Sequence, residues 1–91
     1  MTPGFDWDPV KNEINEEKHG IRLDAVTRVF KDPKRIDMDN TRPEFDEERR
    51  KTIGRVGTSL VAVIYTVRGD RIRIISAWKA GANERREYRQ G

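Results

Sequence analysis

The stretch Leu60-Val61-Ala62-Val63-Ile64-Tyr65-Thr66-Val67 is the most apolar run of the sequence, and the predicted architecture is built around it. β-Branched and aromatic residues dominate it, and it is apolar on both faces, as in a strand at the centre of a sheet. Arg68-Gly69-Asp70 follows as a tight turn, and Arg71-Ile72-Arg73-Ile74-Ile75 returns as the next strand. We therefore predict a central antiparallel hairpin over residues 60–75.

Two more strands are predicted before this hairpin. Residues 49–56 form a plausible strand that ends at the turn Gly57-Thr58. Residues 35–39 alternate with period two, which places Ile36 and Met38 on one face. The polar segment 41–46 is predicted to be a loop.

Helices are predicted at both ends of the chain. Asp8 is a good N-cap for a helix over residues 9–18, which begins with a proline and ends before Gly20. Its apolar face is thin and consists of Val10 and Ile14.

A second, short helix is predicted to be capped by Asp24 and to end at Asp32-Pro33. A third runs from about Gly81 to Arg89. The order helix, helix, strands, helix indicates a single α+β domain over residues 1–91 with its helices on one side of a meander sheet. The other face of the sheet is left partly open as a binding surface.

Composition excludes several classes of function. The chain of 91 residues has no cysteine and one histidine, which excludes disulfide scaffolds, thiolate metal sites and multi-histidine metal centres. No apolar run approaches the roughly 18 residues of a membrane span, and the N-terminal sequence lacks the regions of a signal peptide. We expect a cytoplasmic protein with no membrane partner.

The basic residues are concentrated in the second half of the chain. Residues 1–40 hold 7 basic and 9 acidic side chains, whereas residues 41–91 hold 12 basic and 7 acidic ones. Of all 19 basic residues 13 are arginine, whose planar fork binds phosphate in a bidentate manner. This bias favours a phosphate-bearing partner, and the alternative is a solvated surface of ion pairs.

Basic side chains from the last strands and the last helix are predicted to form a cleft between the sheet and that helix. Arg71 and Arg73 share a strand face, and Arg85 and Arg89 share a helix face. Two aromatic residues among them are candidates for stacking on unpaired bases. The set comprises Arg49, Arg55, Arg71, Arg73, Lys79, Arg85, Arg86 and Arg89 with Trp78 and Tyr88. The alternative is an exposed strand face and a helix with local ion pairs.

Two other groups of residues are candidates for chemistry. His19, at the end of the first helix, is either a general base or a partner of the last helical carbonyls. Asp37 and Asp39 share a strand face and are possible ligands of a divalent cation, but spacing fixes no third ligand, so a solvated face is the simpler interpretation.

Short motifs at both ends and in the middle of the chain together carry a resemblance to a known family. The N-terminal resemblance is carried by Phe5-Asp6-Trp7-Asp8-Pro9, Lys11, Asn15 and Lys18-His19-Gly20. The middle resemblance is carried by Val29-Phe30, Asp32-Pro33, Glu47, Arg49 and Ile53-Gly54. The C-terminal resemblance is carried by Tyr65-Thr66, Arg73-Ile74-Ile75-Ser76-Ala77, Lys79-Ala80, Glu84-Arg85-Arg86 and Tyr88. Taken together and in order, these motifs resemble those of the BrnT toxins of bacterial type II toxin–antitoxin systems over essentially the whole chain. Trp78 stands where that family pattern suggests a basic residue.

The resemblance implies a RelE-like α+β fold and a ribonuclease that arrests translation without a cofactor. It also implies a BrnA-like antitoxin with a ribbon-helix-helix domain, through which the complex contacts DNA indirectly and represses its own operon.

Metal-independent RNA cleavage by attack of the 2′-OH needs a base, an acid and positive charge on the phosphate. Arg73 and Arg85 are the candidates for phosphate charge. Lys79 either stabilises charge or acts as a base, if neighbouring arginines depress its pKa. His19 and Tyr88 are the remaining candidates for proton transfer. We expect Arg73→Ala to abolish growth inhibition while leaving the fold intact.

Two alternatives remain open at this point. The first is a non-catalytic module that binds RNA or serves as a co-repressor subunit. The second is a protein-binding domain whose basic cleft receives an acidic partner.

Overall fold

The computed structural model describes residues 4–91, which form a five-stranded sheet with helices on both of its faces. The elements, in chain order, are β1 Gly4–Asp6, α1 Pro9–His19, a 3₁₀ helix Leu23–Lys31, β2 Ile36–Asp39, β3 Arg50–Val56, β4 Ser59–Arg68, β5 Arg71–Lys79 and α2 Ala82–Gln90. The α+β class, the mostly antiparallel sheet and the C-terminal helix agree with the sequence prediction. Within residues 4–91, no helix is long and apolar enough to cross a membrane.

The strands are ordered β1-β5-β4-β3-β2 across the sheet. The meander from β2 to β5 is antiparallel, as predicted, and the apolar stretch of β4 lies at its centre. The short N-terminal strand β1 adds to the outer edge of β5 in parallel orientation, with Phe5 opposite Ile72. The N-terminal strand therefore forms one edge of the sheet, and β2 forms the other.

Alternation along β4 separates two apolar clusters. Val61 and Val63 are buried on one face, where they pack with the 3₁₀ helix. Ala62 lies between them on the opposite face, and packs with Ile53 and with Tyr88 of α2. Since α2 covers this second face, the prediction that all helices lie on one side of the sheet was wrong.

Helix α1 buries amide side chains rather than its apolar ones. Val10 and Ile14 are 63% and 53% exposed, so the predicted apolar face does not contact the core. Asn12 and Asn15 are buried instead. The predicted ends are confirmed: the Asp8 carboxylate accepts from the N–H of Val10 at 2.9 Å, and α1 terminates before a glycine in the left-handed region.

Asn15 links α1 by hydrogen bonds to the part of the β5 edge that β1 does not cover. Its Nδ2 donates to the carbonyls of Ile21 and Ala77 at 2.8 and 2.9 Å, and its Oδ1 accepts from the Ala77 N–H at 3.3 Å. Because β1 pairs only with residues 71–73 of β5, the amide of Asn15 takes the place of a neighbouring strand farther along.

The second helical segment is a 3₁₀ helix whose Leu23, Val26 and Val29 fill the core under β4. It begins at Leu23, two residues earlier than a helix capped by Asp24 would begin. Asp24 does not cap it but lies in its first turn, where its carboxylate accepts a hydrogen bond from Asn12 at 2.8 Å. Gly54 of β3 makes room for this segment, because a Cβ there would lie 2.9 Å from Val29 Cγ2.

A β-bulge interrupts the regular alternation of β5. Tyr65 pairs with Ile74 and Ile64 pairs with Ser76, so Ile75 has no partner on β4. Ala77 consequently joins Ile74 in the cluster beneath the 3₁₀ helix, although the two are three residues apart. Beyond the bulge, every side chain of β5 is on the opposite face from the one that strict alternation would give.

Candidate functional site

Polar contacts hold α2 against the sheet. None of its residues is fully buried, so beyond the packing of Tyr88 on Ile53 and Ala62 its position depends on polar contacts. Glu84 is the main anchor: its carboxylate contacts Lys51 Nζ at 2.5 Å and accepts from Trp78 Nε1 at 3.1 Å and from the Gly81 N–H at 2.9 Å. The last contact is the reach-back half of a capping box. The first turn of α2 is therefore fixed to both β3 and β5.

A second anchor fixes the last turns of α2. The Tyr88 hydroxyl donates to Asp32 Oδ2 at 2.7 Å. The same carboxylate accepts from the backbone N–H groups of Lys34 and Arg55, at 2.9 and 2.8 Å. Asp32 thus joins α2, the turn before β2 and the end of β3 at one point.

The pKa values of these groups follow from their partners. Burial opposes ionisation of Asp32, but hydrogen bonds from Arg55, Tyr88 and Lys34 outweigh it and lower its pKa. The hydrogen bond to Asp32, together with burial, raises the pKa of the Tyr88 phenol. The Tyr88 proton is therefore held by the tyrosine and directed at Asp32.

Glu84 is ionised for a similar reason. Desolvation alone would raise its pKa, but the hydrogen bonds from Lys51, Gly81 and Trp78 lower it overall. A carboxylate held among three donors is a structural anchor rather than a proton donor near neutral pH.

A cationic cavity opens between α2 and the β3–β4 turn. Its volume is about 270 Å³. Four cationic side chains line it, from three different elements, together with the Tyr88 ring. These cations are Arg55, Lys79, Arg85 and Arg89. The Arg55 guanidinium lies 6.0 Å from the centroid of the Tyr88 ring.

The cations of the cavity form no ion pairs among the residues that the structure describes, although Asp32, which binds Tyr88 and the Arg55 backbone, lies close enough to Arg55 to interact with its charge. None of its lining residues is Asp or Glu. The ion pairs of residues 4–91 involve other cations, among them Arg22, Arg35, Lys51 and Arg73, and none of the four that line the cavity. Four cations gathered without ion pairs form a site suited to a phosphate group.

Five of the residues that the sequence singled out meet at this cavity. They are Arg55, Lys79, Arg85, Tyr88 and Arg89. Arg86 is exposed on the same helix but does not line the cavity. Trp78 is partly buried beneath α2, where Lys51 Nζ lies 5.6 Å from the centroid of its ring. His19 is exposed, with its ring centroid 6.3 Å from that of Trp78.

The other predicted residues lie elsewhere. Arg73 donates to Asp6 at 2.6 Å and Arg71 to the Phe5 carbonyl at 2.9 Å, so both hold β1 on the sheet. The hydrogen bond with Arg73 is the main reason that the pKa of Asp6 is lowered. Arg49 stacks on the ring of Phe45 with its guanidinium 3.5 Å from the centroid.

Distance along the strand and a bulge both separate Arg73 from Lys79, which are about 20 Å apart at 3.3 Å per residue. Six residues separate them, so strict alternation would place both on one face of β5. Ile75 adds one residue to the strand, which turns Lys79 to the face of Ile74 and leaves Arg73 on the other. Lys79 therefore lines the cavity at α2, and Arg73 does not.

The carboxylates of β2 are occupied by protein groups. Asp37 accepts from the Tyr65 hydroxyl at 2.9 Å and from Arg50 Nε at 2.7 Å. Asp39 accepts from the Thr41 hydroxyl at 2.7 Å. Asp37 therefore links β2 to β3 and β4, and Asp39 holds the loop that follows β2.

Sequence reasoning missed Asp32, Lys51 and Glu84 as organisers of the site. Glu84 carried a usable signal, because it lies three residues after Gly81, where a capping-box acid is expected. Asp32 and Lys51 had no local signal, since their partners are distant in sequence.

Comparison with protein families gives a match that covers most of the chain. Residues 7–84, more than four-fifths of the chain, match the family model described as the ribonuclease toxin BrnT of type II toxin–antitoxin systems. A search of curated proteins found no match.

Proposed function

This chain belongs to the BrnT family of ribonuclease toxins of type II toxin–antitoxin systems, and from that premise we propose that it cleaves RNA at the cationic cavity beneath α2. The family description implies an RNA substrate and a protein antitoxin. The observation that carries the assignment to this cavity is its set of four cations without ion pairs.

The proposed reaction is transfer of the phosphate ester within the RNA chain. The 2′-oxygen forms a bond to the adjacent phosphorus while the bond to the 5′-oxygen breaks. The products are a 2′,3′-cyclic phosphate and a free 5′-hydroxyl. Negative charge accumulates on the non-bridging oxygens in the transition state, where cationic donors stabilise it most.

The cavity residues take complementary roles in this proposal. Arg85 and Arg89 bind the non-bridging oxygens, because a guanidinium presents two parallel donors. The ammonium group of Lys79 donates its proton to the leaving 5′-oxygen. These cations supply the charge that a metal ion provides in other nucleases, so we propose that cleavage needs no metal.

No strong base belongs to this proposed mechanism. Tyr88 directs its proton to Asp32, and His19 does not line the cavity. The proton of the 2′-OH therefore passes to water, and the enzyme is slow. A turnover above roughly 10 per second, typical of metabolic enzymes, would contradict this proposal.

The decisive experiment compares two neighbouring arginines of α2. Purified Arg85→Ala and Arg86→Ala proteins are incubated with RNA in EDTA, and the product ends are analysed. We expect Arg85→Ala to lose about 10²-fold in cleavage rate, as for the loss of one transition-state donor. Arg86→Ala, which removes an equal charge outside the cavity, is expected to retain the rate within a few fold.

Three outcomes would count against the proposal. Unchanged cleavage by Arg85→Ala would remove the cavity from the mechanism. Intact RNA with confirmed binding by the unaltered protein would favour a non-catalytic module. A failure to retain RNA at low salt would favour a purely protein-binding domain.

We further propose that the antitoxin is BrnA-like, with a ribbon-helix-helix domain, and that it covers the cationic cavity with acidic side chains. This would neutralise the toxin by excluding phosphate. A BrnA-like protein should then displace a non-cleavable 2′-O-methyl RNA from the toxin. Simultaneous binding of both would contradict the covering of the cavity.

A further inference from the structure

A second cavity adjoins the first on the other side of Tyr88. Its volume is about 560 Å³. Arg55, Tyr88 and Arg89 line both cavities, which makes the two contiguous. The second cavity adds Lys34 and Arg35 from the turn that precedes β2. We define the two cavities together as the Tyr88 groove.

Lys34 is the cation that distinguishes the second cavity. It is exposed and forms no ion pair among the residues that the structure describes. Arg35 is engaged, because its guanidinium donates to the Thr52 hydroxyl at 3.0 Å and lies 3.7 Å from the Asp37 carboxylate. A ligand in the second cavity would therefore meet Lys34 together with the shared Arg55 and Arg89.

Asp32 fixes the two halves of the groove relative to each other. It accepts from the backbone of Lys34, from the backbone of Arg55 and from the Tyr88 hydroxyl, at 2.7–2.9 Å. Each of these residues lines the groove, but Asp32 itself lines neither cavity. The spacing of the cations on either side of Tyr88 is thus set before any ligand arrives, which lowers the entropic cost of binding.

We propose that the Tyr88 groove binds two consecutive phosphates of a single-stranded RNA. The scissile phosphate occupies the first cavity, and the neighbouring phosphate occupies the second, against Lys34. This inference rests on the proposed function and extends it, since it defines a second phosphate subsite. A dinucleotide, which has one phosphodiester, would then fill half of the groove, whereas a trinucleotide, which has two, would fill all of it.

The test uses short 2′-O-methyl RNA oligonucleotides, which cannot be cleaved through the 2′-oxygen. A dinucleotide and a trinucleotide of one base, without terminal phosphates, are titrated into the protein at several salt concentrations. We expect tighter binding of the trinucleotide and a salt slope that is steeper by about 0.7, the value for one more phosphate of a single strand.

Two lysine variants separate the subsites. Lys34→Ala should weaken trinucleotide binding by about three- to tenfold and remove the additional salt slope, while dinucleotide binding is unchanged. Lys31→Ala is the matched control, because this exposed lysine lies nearby on the 3₁₀ helix but lines neither cavity. It should leave both ligands unaffected.

The outcomes distinguish the inference from the proposed function. Equal binding of the two oligonucleotides, or equal losses for both in Lys34→Ala, would overturn the second subsite. If the second subsite were refuted in this way but Arg85→Ala abolished binding of the dinucleotide, the first cavity would remain the phosphate site. If Arg85→Ala bound both oligonucleotides as tightly as the unaltered protein, the first cavity would be refuted as the phosphate site.

Discussion

Asn15→Ala should destabilise the protein strongly, although the residue is polar and belongs to a surface helix. The side chain is only 6% exposed and takes part in four hydrogen bonds. Two of them are short bonds from Nδ2 to carbonyls, worth about 1 kcal/mol each, and the two longer ones to Oδ1 are worth about half as much each. The loss of all four should lower the free energy of unfolding by about 3 kcal/mol.

This loss is large against a total stability of roughly 5–15 kcal/mol for a native domain. In a domain of this size, 1 kcal/mol corresponds to roughly 4–8 °C in Tm, so a decrease of about 12–24 °C is expected in thermal unfolding. Urea unfolding measures the free energy directly. Cleavage of RNA should fall only in proportion to the unfolded fraction, because Asn15 holds the edge of β5 and lies outside the cavity.

Two variants control for the interpretation of Asn15→Ala. Asn15→Asp keeps the shape of the side chain but points a carboxylate oxygen at the carbonyls of Ile21 and Ala77, so it should destabilise at least as much. Asn83→Ala, at an exposed position of α2, should change stability by no more than about 0.5 kcal/mol. A loss below 1 kcal/mol in Asn15→Ala would refute the role assigned to these bonds.

Three further substitutions test the packing and the anchors of the site. Gly54→Ala should lower the free energy of unfolding, measured in urea, by about 1–3 kcal/mol, because the added Cβ overpacks the 3₁₀ helix. The control Gly81→Ala, whose added Cβ has its nearest contact at 3.8 Å, should be nearly neutral. Equal effects of the two substitutions would contradict the close approach at Gly54. Because the pKa of Glu84 is lower in the folded state than its ordinary value of 4.5, its ionisation stabilises the protein above that pH and this contribution is lost as the pH falls further. Urea unfolding should therefore show Glu84→Gln to be less stable than the unaltered protein at pH 7, with a difference that narrows as the pH falls below 4.5, and a constant difference would exclude this origin. Tyr88→Phe should cost about 1 kcal/mol through the lost bond to Asp32 and retain cleavage within about threefold, and a complete loss of cleavage would instead assign proton transfer to Tyr88.

Local sequence signals predicted most of the secondary structure. The apolar run of β4, the turn with Gly69 at positive φ and the Asp8 and Gly20 ends of α1 each depend on neighbouring residues, and each was predicted correctly. The burial of α1 was not, because Asn12 and Asn15 are buried through bonds to segments that lie far along the chain. Hydrophobic periodicity contains no information about such partners.

The candidate site was predictable only where local spacing determines the position of its residues. Helical spacing correctly placed Arg85 and Arg89 on one side of α2, where both line the cavity. The position of Arg73 relative to Lys79 depended on the bulge at Ile75, and no residue there signals an extra position. Regular alternation is a reliable guide only along an uninterrupted strand.

The parallel pairing of β1 with β5 sets the order in which this protein becomes complete during its synthesis. Gly4–Asp6 emerges first from the ribosome but has no partner until residues 71–73 have followed. The Tyr88 groove is completed later still, because the Tyr88 hydroxyl can bind Asp32 only after the whole sheet has been translated. Contacts of such high sequence separation form late, so a nascent chain carries no assembled phosphate site. A toxin built in this way would remain inert toward the RNA that encodes it until its α2 segment had been translated.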